Sequence, residues 1–410
     1  MNVEQLVRET LQEMSEREPP AAPRDFADRV LRVRRRRRVR ALTGAAMATT
    51  AVVAAALVIP GLDIGGEGNR AADRTVVEDV LAHPDQSPPE DLIAAGNTAM
   101  SAYTTRERIE QPNGDVVDSW NWHLYDPSEG RYEKTGWAWA DVAPNLHTAA
   151  VLEGPLPSKR VGILDLESGE VERWIELDRG AAGVSWSPDG SRLLATTYSK
   201  NPDRLHKNKP VMSDGKRQPG PVRSRTGYYL IDIDIDIDID IDVDAVKWFE
   251  LSPGEPKTRF NAREDVEWSA DGTHVFVRNI MEPLKTFYDL EGRETKPPTG
   301  ENLAYSLAGR SPGGKLSAGE FAGEGDEIAT EVLDAKTGKR VAKQPVQELL
   351  AWADDERLIA WGCDPKRCDG ADEFRQQLLL VDVEGTRVKQ LTGFRDGQKA
   401  DEWEPVFTRR

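Results

Sequence analysis

One phrase returns along this chain at near-constant spacing, and it restricts the fold more than any single residue does. A short strand runs into a Ser-Pro-Asp-Gly-like turn and out into a second strand. It reads VSWSPDGSRLLATTY at 184–198 and VEWSADGTHVFVRN at 266–279. Degenerate copies follow as GRSPGGKLSAGEF at 309–321 and LAWADDERLIAW at 350–361. Trp268, Arg310 and Trp352 stand 42 residues apart, twice in succession. An earlier copy, VAPNLHTAAVL, lies at 142–152, and a last trace, Trp403-Glu404-Pro405, closes the chain. A second phrase interleaves with the first, an apolar strand entering an Asp-x-x-Gly-like turn, at 124–130, 163–169, 287–292, 332–338 and 380–385. Each repeat is therefore two hairpins, or four short strands.

Four strands in ~40–45 residues is the period of a propeller blade. With the over-long interval between Trp186 and Trp268 set aside, residues 124–410 hold six such units. The spacing predicts an all-β, six-bladed β-propeller over 92–410. The last unit stops just after Trp403, so residues 92–110 are expected to supply the missing strands and close the ring, leaving no bare strand edge. The WSPDG phrase followed by an apolar strand resembles the TolB-like and WD-repeat-like propeller families. The His and Trp-Asp signatures of the WD type are absent, which favours the TolB-like version. That resemblance implies a protein, peptide or small ligand bound at an end of the central channel.

Charge divides the chain. The net charge is −17, yet residues 1–40 hold 11 Arg against 7 acidic residues, so the tail carries +4 and the remainder −21. An acidic body argues against nucleic acid, whose phosphates need a basic face. Residues 41–60, ALTGAAMATTAVVAAALVIP, follow RVRRRRRVR at 32–40. At ~1.5 Å per residue the apolar run spans a bilayer core, and the flanking Arg keep the N-terminus cytoplasmic. A single transmembrane helix is expected over 41–60, with a short, partly helical cytoplasmic tail over 1–40 and a flexible linker over 61–91. The rival is a cleaved Tat-type signal, disfavoured by the 40-residue leader. Val3, Leu6, Val7, Leu11 and Met14 form one apolar stripe, suited to docking a cytoplasmic partner. The layout resembles membrane-tethered anti-sigma regulators, without the His and Cys of their zinc-binding variety. High Arg and Ala usage resembles a high-G+C bacterial chain.

Several segments could carry chemistry. Ile231–Asp242 is six Ile-Asp dipeptides, which alternation places as a strand with Asp232, Asp234, Asp236, Asp238, Asp240 and Asp242 on one face. Such a ladder could hold Ca²⁺, the one cofactor considered, although a tolerated repeat expansion is the plainer account. Residues 200–225 form a Pro- and Gly-rich insertion of net charge +6, expected to be a loop that neutralises the Asp strand or meets an anionic surface. Cys363 and Cys368 are expected to form a disulfide outside the cytoplasm. Trp120, Trp122, Trp137 and Trp139 lie at i, i+2 spacing, offering either an exposed ligand face or packing between blades. Gly309-Arg310-Ser311-Pro312-Gly313 matches the esterase pattern only in letters, because it occupies the hairpin turn of the repeat. Five scattered His lack metal spacing. The chain reads as a non-catalytic, membrane-anchored module that binds a protein, peptide or envelope ligand. The alternatives are a transmembrane regulator whose tail binds a partner such as a sigma factor, and a propeller-type hydrolase or lyase.

Overall fold

The computed structural model describes residues 79–410, apart from 214, 234–244, 252–262, 280–281, 302, 304–305, 325–327, 365–367, 369–374 and 397–401. The proposed tail, membrane span and most of the linker lie outside the described residues, as do Asp234 to Asp242. Among the described residues no helix is long and apolar enough to cross a membrane.

The described chain is all-β and antiparallel throughout its named strands. The two repeated phrases explain how. In the first, Asp189 accepts hydrogen bonds from the Ser187 hydroxyl at 2.5 Å and from the Ser191 amide at 3.1 Å. Gly190 then takes φ +74°, a conformation that side chains resist. Asp271 repeats the pattern with Ser269 and Thr273. In the second phrase Asp165 caps Ser168 and Asp334 caps Thr337, each tying one end of a tight turn. Val, Leu, Ile and Tyr between these turns pack the sheet faces.

A seven-stranded sheet, here the double sheet, runs in chain order through Trp139–Val142, Thr148–Leu152, Ser158–Asp165, Glu170–Trp186, Arg192–Tyr198, Arg225–Asp232 and Val246–Glu250. Its 17-residue strand serves two repeats: the first half pairs backward to Ser158–Asp165 and the second half forward to Arg192–Tyr198. A four-stranded sheet follows, Glu267–Trp268, Val275–Arg278, Lys285–Tyr288 and Glu294–Thr295. Next is a three-stranded sheet, Leu316–Phe321, Thr330–Asp334 and Arg340–Gln344, with an Arg310–Ser317 bridge where a further strand would pair. A five-stranded sheet contains Glu348–Trp352, Arg357–Gly362, Arg375–Asp382, Val388–Gln390 and Arg395–Asp396. The eight-stranded closing sheet joins the last strand to the first strands of the described body. Trp403–Arg409 pairs with Thr98–Glu110, from Trp403 against Thr105 to Arg409 against Thr98. Val116–Asp126 and Arg131–Lys134 complete that meander.

Apolar clusters sit between successive sheets. Ala102, Trp122 and Leu124 of the closing sheet pack with Ala140, Val142 and Val151 of the double sheet. Leu194, Tyr228 and Leu230 pack with Val266, Val275 and Val277. Ala318 and Val332 meet Leu349, Trp352 and Leu358, and Met100 and Tyr103 meet Ile359, Trp361 and Leu378. The Trp of the first phrase clasps the preceding repeat. Trp186 Nε1 donates to the Asp141 carbonyl at 3.2 Å, Trp268 Nε1 to the Ser185 carbonyl at 3.1 Å, and Trp352 Nε1 to the Gly309 carbonyl at 3.1 Å.

Two expectations need correction. The linker placed at 61–91 ends earlier, because residues 79–91 are bound into the body. Val80–Leu81 pairs with Ala94–Ala95, and the His83 amide donates to the Leu391 carbonyl at 2.8 Å. The backbone groups and apolar side chains of this segment find partners there, so it has no reason to stay solvated. The insertion at 200–225 is not an irregular loop. Arg204–Ser213 and Lys216–Pro221 form a hairpin, whose first strand pairs with Val116–Asp126 and so extends the closing sheet.

Candidate functional site

The antiparallel registers define two ends for every sheet. At one end lie the Asp- and Gly-containing turns of the repeat. At the other, the first strand of a repeat begins where the second ends: Trp139 opposite Leu152, Glu348 opposite Trp361, Trp403 opposite Thr105. Long connections and Arg-aromatic stacks gather at this second end. The Arg160 guanidinium lies 4.0 Å from the Trp174 ring centre and Arg179 3.9 Å from Trp248. Arg263 lies 3.7 Å from Trp139 and Arg395 3.8 Å from Trp361. Such stacks are worth ~0.5–2 kcal/mol each, more as water is excluded.

The densest network centres on Arg263. Its Nε donates to Asp203 Oδ1 at 2.8 Å, its Nη1 to the Ala182 carbonyl at 2.8 Å and to Asp265 Oδ2 at 2.9 Å, and its Nη2 to Asp203 Oδ2. Trp120 Nε1 donates to Asp203 Oδ1 at 3.2 Å. Tyr198 Oη donates to Asp265 Oδ1 at 2.7 Å and accepts from the Glu264 amide at 2.9 Å. Burial would lower the Arg263 pKa, but the Asp265 and Asp203 carboxylates outweigh it and raise it. Burial, with the Asp265 charge beside it, pushes the Tyr198 hydroxyl up. Gly183 leaves room for this carboxylate: a Cβ there would come within 2.5 Å of Asp265 and push it from its place. One cation against two carboxylates, with most guanidinium donors already engaged, makes a latch between the double sheet, the hairpin root at Asp203 and the strand entering the four-stranded sheet.

Asp141 lies beside this latch on the Trp139–Val142 strand. Its Oδ2 accepts the Trp186 amide at 2.7 Å, and burial pushes its pKa up to about 7. On the five-stranded side, Arg395 donates from Nε to Gln376 Oε1 at 2.9 Å and from Nη1 to Glu404 Oε1 at 2.7 Å.

The four tryptophans proposed as a ligand face are brought together, though mostly edge-on within the joint. Trp122 and Trp139 have ring centres 5.2 Å apart and Trp120 and Trp139 6.5 Å, both T-shaped, while Trp137 meets Trp174 at 6.2 Å. Trp122 is buried against Ala102 and Leu124; Trp120, Trp137 and Trp139 keep part of their surface exposed. Asp232, the one residue of the Ile-Asp run described beyond Ile231 and Ile233, accepts from Arg192 Nε at 2.8 Å. Cys363 and Cys368 form a disulfide with Cα atoms 6.0 Å apart, in the connection at the Arg-rich end of the five-stranded sheet. Ser311 lies in a tight turn, its amide bonded to the Leu316 carbonyl at 2.8 Å. Among the described residues no group of three His, Cys, Asp or Glu could hold a metal ion. Asp203, Arg263 and Asp265 carry no motif, and only the excess length between Trp186 and Trp268 marks their neighbourhood in the sequence.

No family model and no curated protein matches this chain. Among solved structures it is similar to TolB from Acinetobacter baumannii, at 15% identity and TM-score 0.34 over 76% of this chain and 68% of that one. The Swd1 β-propeller domain of Myceliophteria thermophila gives 13% and 0.33 over 76% and 90%. Kuenenia stuttgartiensis hydrazine synthase gives 13% and 0.33 over 62% of this chain and 65% of its own length. At these values the likenesses assign neither a family nor an activity.

Proposed function

We propose that the sheets are blades of a six-bladed β-propeller and that this propeller is a non-catalytic binding module. The double sheet supplies two blades and the other sheets one each. The closing sheet is completed by the last strand of the chain, a mode that leaves no innermost edge bare. In this reading residues 41–60 tether the module to a membrane, residues 1–40 face the cytoplasm, and the propeller meets a protein, peptide or envelope ligand outside.

One observation carries the assignment of the binding end. Arg-aromatic stacks and the capping hairpin occupy the end opposite the Asp- and Gly-containing turns. Aromatic and Arg side chains are the groups that dominate protein interfaces.

Photo-crosslinking in living cells tests this. A crosslinker at Glu153 or Glu176, at the Arg-rich end, is expected to capture a discrete envelope partner, and one at Glu167 or Lys336, at the turn end, is not. Capture only from the turn end would overturn the assignment. Capture that needs residues 1–40 would favour the regulator.

A further inference from the structure

We propose that the hairpin of Arg204–Ser213 and Lys216–Pro221 is a docking arm for an acidic, partly apolar protein segment. The inference deepens the binding-module reading and rests on it.

The arm is built onto the body rather than loosely appended. Val116–Asp126 and Thr98–Glu110 run past the end of their meander, and the arm pairs onto that extension through Arg204–Val117 and Leu205–Val116. Asp115 fixes its root: Asp115 Oδ2 accepts from Arg204 Nε at 2.9 Å, and Asp115 Oδ1 from the Lys207 amide at 2.9 Å. The Asp203 carbonyl accepts from the Asp118 amide at 3.0 Å, and the Asp203 carboxylate engages Arg263. Root cations are thus spent on internal partners. Those beyond the root are not. Lys207, Lys209, Lys216 and Arg217 are exposed, and none has a carboxylate partner among the described residues.

Apolar surface accompanies this charge. Met212 is 65% exposed and stands directly opposite Arg217, so thioether and guanidinium share one face. Ile109, in the same extended sheet, is 40% exposed. Four cations on a body of strongly acidic sequence single the arm out as the place where an acidic partner is attracted rather than repelled. A bare polyanion would satisfy the cations and leave Met212 and Ile109 in water. A protein segment with acidic and apolar residues satisfies both features. Flexible Met is suited to such adaptable contact. Strand addition is not the mode, because the outer strand carries Pro219 and Pro221.

The test uses the full-length protein in detergent, with Asn208→Cys carrying a polarity-sensitive dye; the native cysteines are paired and do not label. A 20-residue peptide of Glu and Leu is expected to shift the dye saturably. Poly-glutamate should bind at least ~10-fold more weakly. Combined Lys207→Glu, Lys209→Glu, Lys216→Glu and Arg217→Glu should weaken the peptide about 100-fold. These side chains are exposed, and an unchanged near-ultraviolet spectrum checks that the fold is kept. Equal affinity for poly-glutamate or polyphosphate would overturn the proposal in favour of a plain polyanion site. A shift with phosphatidylglycerol vesicles and none with the peptide would reassign the arm to lipid. No shift with any probe would remove the arm as a docking site, and crosslinks from Glu153 or Glu176 would still decide the wider reading separately.

Discussion

Two neighbouring joints of this molecule are built from the same repeat and differ in kind. Between the double sheet and the four-stranded sheet, Leu194, Tyr228 and Leu230 pack on Val266, Val275 and Val277, and Trp268 clasps the Ser185 carbonyl. Between the four-stranded and three-stranded sheets the equivalent residue is Arg310. Its guanidinium turns back to the Gly314 and Thr299 carbonyls. Among the described residues no buried apolar cluster spans that joint. A Lys285–Glu301 pair lies near it instead, 4.0 Å apart with both side chains at least 95% buried. Burial lowers the Lys285 pKa and raises that of Glu301, each opposed by the other's charge. Among the described residues, four of the six exposed large apolar ones, Leu303, Leu307, Phe321 and Val341, belong to the same stretch. The Trp of the repeat therefore marks an apolar, clasped joint, and its loss to Arg marks a polar one.

The strongest way to break this contrast is Trp268→Ala. It removes a large side chain and the indole donor together, with an expected cost of about 3–4 kcal/mol in denaturant unfolding. Arg310→Ala, at the equivalent position, is expected to cost less than about 1 kcal/mol. Equal costs would show that the two joints are energetically alike.

Arg263→Ala probes the polar end of the clasped joint. It leaves Asp203 and Asp265 facing each other without their cation, so about 2 kcal/mol is expected to be lost at pH 7. Arg263→Lys should recover little, since one ammonium cannot bridge two carboxylates while lying flat on Trp139.

The sequence disclosed these joints unevenly. The hairpins, the shared period and the pairing of the last strand with residues 98–105 follow from turn chemistry and spacing, which are local properties. The Trp-to-carbonyl clasps were partly visible, since Trp186, Trp268 and Trp352 recur, although their acceptors are backbone atoms without a signature. The arm was hidden because Pro210, Pro219 and Gly220 suggest a loop, while the pairing that joins the hairpin to the sheet comes from a strand extension more than 80 residues away. Asp203 and Arg263, 60 residues apart, meet only through the fold. The tryptophans showed their shared face in the i, i+2 spacing, but that spacing says nothing about which neighbour covers the face.

Asp141 sharpens the comparison at the first clasp, where its carbonyl accepts the Trp186 indole and its carboxylate the Trp186 amide. Its folded-state pKa, about 7, is above the ordinary aspartate value. Ionising it therefore costs the folded state stability, progressively as pH rises from about 4 to about 7. Asp141→Asn keeps an acceptor and removes the charge. The variant should match the parent at pH 4 and be more stable by about 1 kcal/mol at pH 8. A parallel pair of melting curves across that range would refute a buried, costly carboxylate.

The smallest expected effect is also the most direct reversal. Arg310→Trp places an indole where the repeat elsewhere carries one. If the polar joint lacks only this side chain, the introduced indole should find a carbonyl on the preceding sheet and raise stability by about 0.5–1 kcal/mol. Hydrogen exchange in Leu316–Phe321 should slow with it. If the joint is polar because its facing surfaces lack apolar partners, the indole has nothing to pack on. Stability then stays flat or falls, since the bonds from Arg310 to Gly314 and Thr299 are given up as well. The second result would make the Arg a consequence of the joint's chemistry and not its cause. The first would mean that one side chain at a fixed place in the repeat decides how firmly neighbouring sheets are held.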